Sequence, residues 1–153
     1  MNTPNLRVNA DFRYYAPLTE ASRKNGLLSG FESFHMSRYQ FAESWFSILS
    51  YSSLRFNLLE SSSKGNNLVI FLAPSLNYRL TENLDLGAFS TLIAAKPNGA
   101  SIDSFDVSTF NVGPGVIWSI SRDISFSPSL RIPVWDAHIE NISFFAIMLA
   151  RVF

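Results

Sequence analysis

The chain has 153 residues, of which 47% are apolar, 14% aromatic and only 16% charged; twelve Lys and Arg balance twelve Asp and Glu, and cysteine is absent. One domain accommodates that length, the ring content excludes a disordered chain, and the neutral balance removes the basic footprint of a nucleic-acid partner. Missing thiols exclude a disulfide framework and a thiolate metal site, and the lack of any run of about 18 apolar residues excludes a transmembrane helix.

A period of two, the signature of strands with one apolar and one polar face, recurs in eight segments over 5–15, 27–39, 45–58, 68–80, 84–95, 105–120, 124–134 and 141–153. Almost nothing is left for helix. In the first, Leu6, Val8, Ala10, Phe12 and Tyr14 alternate with Arg7, Asn9, Asp11 and Arg13. The second is ambiguous, because Phe31, His35 and Tyr39 compete with Phe34 and Met36; Glu32 and Arg38 are assigned to the polar side. The third sets Phe46, Ile48, Leu54, Phe56 and Leu58 on one face, but Ser50 and Ser52 share it. In the fourth and seventh, Leu72, Leu76, Leu80 and Phe126, Leu130, Ile132 oppose Ser75, Asn77, Arg79 and Ser125, Ser129, Arg131.

Connections alternate in length. Polar links over 17–25, 61–67, 96–104 and 136–140 follow the odd segments, whereas short ones near Ala42-Glu43-Ser44, Thr81-Glu82-Asn83 and Ser121-Arg122-Asp123 follow the even ones. Ala73-Pro74-Ser75-Leu76, Gly113-Pro114-Gly115-Val116 and Ser127-Pro128-Ser129-Leu130 form a weak repeat. A strand proline removes a ladder donor, so bulges or bends are expected there.

Two architectures fit this pattern: a membrane barrel with its apolar faces outward, and a soluble lipid carrier with them inward. Eight strands enclose only enough room for side chains, and faces this rich in Phe, Tyr and Leu overfill it, which favours the first. Tyr14, Tyr15, Tyr39, Phe41, Trp45, Tyr78, Trp118 and Phe153 lie near segment ends, where an aromatic girdle at a membrane interface belongs.

With its eight amphipathic strands, its alternating loops and the ending Phe145-x-Ile147-x-Leu149-x-Arg151-x-Phe153, the whole chain resembles the small eight-stranded outer-membrane barrels of Gram-negative bacteria, of the outer membrane protein A transmembrane-domain type. The resemblance implies an all-β, antiparallel up-and-down transmembrane barrel made of one domain, 1–153. It also implies contact with outer-membrane lipid and lipopolysaccharide, recognition of Phe153 by the barrel-assembly machinery, and export with a signal removed. Met1-Asn2-Thr3-Pro4-Asn5 has neither the basic nor the apolar region of such a signal. Arg151 departs from the pattern, standing where an aromatic is usual.

The polar faces collect Arg7, Asp11, Arg13, Glu32, Arg38, Arg55, Arg79, Asp85 and Arg131, with Asn9, Tyr51, Asn57 and Asn77 between them. Enclosed in a narrow lumen, such charges must pair, because an unpaired buried charge costs several kcal/mol. A plug is expected, and the surplus of Arg leaves an anion site as the functional alternative. His35-Met36-Ser37 resembles the His-x-Ser arrangement of outer-membrane lipid A deacylases, with Glu43 as a conceivable third member, so His35 and Ser37 are the catalytic candidates. Trp135, Asp136 and His138 form a candidate contact cluster in the last outer loop. No cofactor motif or metal-ligand spacing occurs.

These observations favour a non-enzymatic, monomeric envelope barrel acting through its outer loops. The alternatives are a lipid-modifying enzyme, a narrow small-solute channel and a soluble lipid-binding barrel.

Overall fold

The computed structural model describes residues 5–41, 45–101, 104–121, 124–136 and 143–150. Eight strands follow one another: β1 (Leu6–Tyr15), β2 (Leu27–Gln40), β3 (Phe46–Leu59), β4 (Asn66–Thr81), β5 (Leu84–Pro97), β6 (Asp106–Ser119), β7 (Ile124–Asp136) and β8 (Ser143–Ala150). Each pairs antiparallel with the next, giving one up-and-down sheet in chain order. Among the described residues the two end strands, β1 and β8, share no ladder. A single helical turn, α1 (Glu20–Lys24), lies in the first link. Thr19 accepts its first backbone bond from Arg23 at 3.2 Å, and Glu20 pairs with Lys24 at 2.8 Å. The alternation rule carries no signal for so short a helix, which is why the sequence left that link without one.

No second layer covers this sheet, so a buried face requires the sheet to curl around it. Among the described residues the buried polar side chains are Glu32, Ser47, Ser53, Ser75, Asn77, Asp85, Thr91, Asn111 and Ser129, whereas only Leu49 and Ala95 are buried apolar ones. By strand parity they all fall on one face, here called concave. An ion pair measures the curl. Arg38 on β2 reaches Asp85 on β5 at 3.2 Å, although β3 and β4 lie between them. In a flat sheet those strands stand roughly 14 Å apart.

The convex face is the apolar one. It exposes Val8, Phe12, Tyr14, Phe31, Leu54, Phe56, Leu76, Trp118, Leu130 and Val134, with Phe12 retaining 78% of its accessible surface. β2 resolves accordingly: Phe31 and Tyr39 are exposed, Glu32 is buried and Arg38 half-buried on the opposite side. In β8, Phe144, level with Leu130, is exposed.

Of the bulges or bends expected at the three repeat prolines, bulges do not form there. Pro74, Pro114 and Pro128 keep their registers against Ser50, Ala88 and Ala146 on one side. On the other side the ladder skips them without shifting: β4 pairs with β5 at Leu72↔Leu92 and again at Ser75↔Phe89. An antiparallel residue addresses one neighbour with both backbone groups, so a missing N–H empties one site and leaves the opposite ladder intact. At the β4 gap the Ser90 hydroxyl donates to Pro74 O at 3.3 Å. Register shifts fall instead near strand ends, as at Leu27/Ser29, Arg79/Thr81 and Phe110/Asn111.

Beside these gaps the backbones of β6 and β7 come close. A Cβ on Gly113 would lie 2.1 Å from Leu130 O, and one on Gly115 would lie 2.6 Å from Pro128 O. Both neighbours are backbone atoms, so relief demands movement of a strand. Gly113→Ala and Gly115→Ala are each expected to lower unfolding stability by about 1–3 kcal/mol in a denaturant titration. Gly99→Ala, at φ +75° in open space, should lose only backbone strain, about 1 kcal/mol.

Candidate functional site

The polar face is organised along the strands into two charged clusters with an aromatic layer between them. Register places Arg13, Glu32 and Arg55 side by side on β1, β2 and β3, toward the end that carries the long links. Glu32 accepts a hydrogen bond from the Tyr15 hydroxyl and one from Arg55 Nη2 at 3.1 Å. The Arg55 guanidinium also lies 4.7 Å over the Tyr15 ring. Tyr15 is therefore part of the charged cluster and not of an outward girdle, since its odd position in β1 turns it to the concave side. Arg13 pairs with Asp11 at 2.8 Å and stacks 5.1 Å over Phe34. Both partners are about half exposed, because β1 is the edge of the sheet.

The second cluster lies toward the short links. Asp85 receives Arg38 at 3.2 Å and Arg79 at 3.5 Å, so one buried carboxylate ties β2, β4 and β5 together. Nearby, Asn77 keeps 1% of its surface; its amide donates to Ser75 Oγ at 3.0 Å, and Ser75 Oγ donates to Leu49 O at 3.2 Å. Rings separate the clusters. Phe34 and Tyr51 stack at 6.2 Å, and Phe89 occupies space that only glycine leaves open, within 2.5 Å of a Cβ built on Gly87 and 2.9 Å of one on Gly115. Ring side chains thus occupy the concave face between the two clusters.

Of the remaining expected members, Arg131 is half-buried on the concave face, and Arg7 is exposed opposite Arg38. The buried Ser47, Ser53, Thr91 and Asn111 were not anticipated. Each sits at a concave position of its strand, so extending the parity of the charged residues would have found them.

At the long-link end, side chains and backbone sew the loops together. Ser63 Oγ donates to Asn25 O at 2.8 Å, Glu60 N to Gly26 O at 2.8 Å, and Asn98 Nδ2 to Glu60 O at 2.8 Å. Gly26, at φ +69°, supplies the left-handed turn that brings the first link against the second. An open groove of about 850 Å³ lies between them, lined by Lys24, Arg55, Asn57, Glu60, Ser63, Lys64 and neighbours.

His35 and Ser37 stand on the convex face. The His35 ring meets the Ser33 hydroxyl through Nε2 and sets its edge against Phe12 at 6.4 Å, so the hydrogen bond of a nucleophile pair runs to Ser33 and not to Ser37. Trp135 and Asp136 belong to β7 and not to a loop. The shift at Phe110/Asn111 carries the ladder on to Phe110↔Trp135 and Thr109↔Asp136, and the indole donates to Val107 O at 3.0 Å. Glu43, His138 and Phe153 lie outside the described residues, and among the described residues no cluster of metal-ligating side chains forms.

A scan of protein-family models, a search of curated proteins and a search of solved structures each returned no match.

Because Asp85 serves two guanidiniums, its loss should exceed that of either partner. Asp85→Asn is expected to cost about 1–3 kcal/mol in urea unfolding, and Arg79→Gln less than half as much, given the partial exposure of that arginine.

Proposed function

We propose that this chain is an integral barrel of the bacterial outer membrane, plugged by polar side chains, with a structural or surface-interaction role carried by the loops at its long-link end. The observation that carries this reading is the inverted partition: among the described residues, buried polar side chains outnumber buried apolar ones, and large apolar residues are exposed on the convex face. Water disfavours such a surface, whereas acyl chains accept it. Rings lie toward both ends of the convex face, with Tyr39–Phe41 and Phe46–Tyr78 at one and Tyr14–Phe31 at the other, which suits two membrane interfaces. Strands β2 to β7 have 13 to 16 residues, more than the roughly 9–11 a tilted strand needs to cross.

Closure follows from the same solvent argument. In hydrocarbon an open edge strand leaves backbone donors and acceptors unpaired, each at a cost of several kcal/mol, so β1 and β8 pair to complete an eight-stranded barrel. The filled interior favours a plug over a conduit. The cross-bonded loops favour contact through a preshaped polar groove, exposed to the outside.

Fractionation with gel mobility tests the reading. The chain should follow the membrane pellet, require detergent for extraction and migrate faster unboiled than boiled; recovery in the aqueous fraction contradicts it. In micelles, amide exchange should be slow at every residue of β1, whereas an unpaired edge leaves alternate residues fast. Planar bilayers containing the protein should stay silent.

A further inference from the structure

One region of the convex face breaks its apolar character. Ser33, His35 and Ser37 on β2 adjoin Ser50 and Ser52 on β3, since register pairs His35 with Ser52 and Ser37 with Ser50. All five are partly exposed and lie in the middle stretch of their strands. Around them the surface is greasy: Val8, Phe12, Ile48, Leu54, Leu72 and Leu76 are exposed. Elsewhere on β4 to β7 a convex serine such as Ser90 is satisfied within the sheet, by Pro74 O. Here only the Ser33–His35 pair is made; among the described residues the side chains of Ser37, Ser50 and Ser52 bond to nothing.

At mid-bilayer depth this arrangement is unfavourable against lipid, because a hydroxyl moved into hydrocarbon without a partner gives up its hydrogen bonds to water and gains none. Headgroups lie too far away to supply one. A soluble partner cannot reach that depth. A second copy of this chain can, and copies inserted in the same sense share the same depth, so the row His35/Ser52 of one faces the row His35/Ser52 of the other across a two-fold axis along the membrane normal. Complementarity is automatic, since every hydroxyl is both donor and acceptor and the patch carries no carboxylate or guanidinium to repel its image. Serine, with Ala10 and Pro74 beside it, also lets two walls approach closely.

We propose that Ser33, His35, Ser37, Ser50 and Ser52 form the centre of a homodimer contact within the bilayer, replacing the monomer expected from sequence. The contact rests on the membrane reading of the convex face. The chain has no cysteine, so single thiols report proximity without background. Ser52→Cys, in membranes under mild oxidation, should give a covalent dimer. Phe110→Cys, level with it through Leu72, Leu92 and the intervening ladders but on β6, should give little. The triple variant Ser37→Leu, Ser50→Leu, Ser52→Leu should keep the heat-dependent gel shift while weakening self-association by about tenfold or more in nanodisc or detergent titrations. Equal crosslinking at both positions, or a folded, membrane-inserted wild type that stays monomeric, overturns the dimer and leaves the barrel standing. Absence of the gel shift in the wild type overturns the barrel and the dimer with it.

Discussion

A sheet with no second layer can bury only the face around which it curls, and in this chain that is the polar face. Everything else follows from that constraint. Asp85 draws a guanidinium from the adjacent β4 and another from β2, two strands further on, and the contact with Arg38 of β2 could not form on a flat sheet. Glu32 joins β2 to its neighbours, to Arg55 of β3 and the Tyr15 hydroxyl of β1. The curl in turn drives the apolar positions outward, where no part of the described chain covers them.

The two buried carboxylates are tolerated because each is matched by arginine. The concave face carries more arginine than carboxylate, yet its two buried carboxylates each hold a guanidinium at 3.1–3.2 Å, and stacked rings separate the two clusters. Small side chains complete the fit. Gly87 and Gly115 leave the volume that Phe89 fills, and Gly113 lets β6 and β7 approach where the proline gaps thin the ladder. The result is a concave face packed like a polar core.

Much of this was legible in the alternation of residues. The eight strands begin within about two residues of where period-two reading puts them, and the charged residues of β1, β4 and β7 mark one face of each strand, although alternation alone leaves open whether that face turns inward. What stayed hidden depended on three dimensions. Arg38 and Asp85 are 47 residues apart and meet only after the sheet curls, so their pairing has no local signature. β2 was ambiguous because rings stand on both of its faces: Phe31 and Tyr39 outward, Phe34 in the aromatic layer against Tyr51. The helical turn at Glu20–Lys24 rests on a few backbone bonds and one ion pair, too little for composition to reveal. Trp135 and Asp136 fall just past the seventh segment as alternation bounds it, 124–134, and only the register shift at Phe110/Asn111 carries the ladder on to them.

The most direct measurement of the central claim is the environment of each face. Nitroxide labels on single cysteines at Leu54, Leu76 and Ile132, and at Ser75, Asn77 and Asn111, can be compared in liposomes for accessibility to oxygen, which partitions into lipid, and to a water-soluble nickel chelate. Inversion predicts high oxygen and low nickel accessibility for the first set, with the second shielded from lipid. Labels at Leu54, Leu76 and Ile132 that meet the aqueous reagent freely would contradict it.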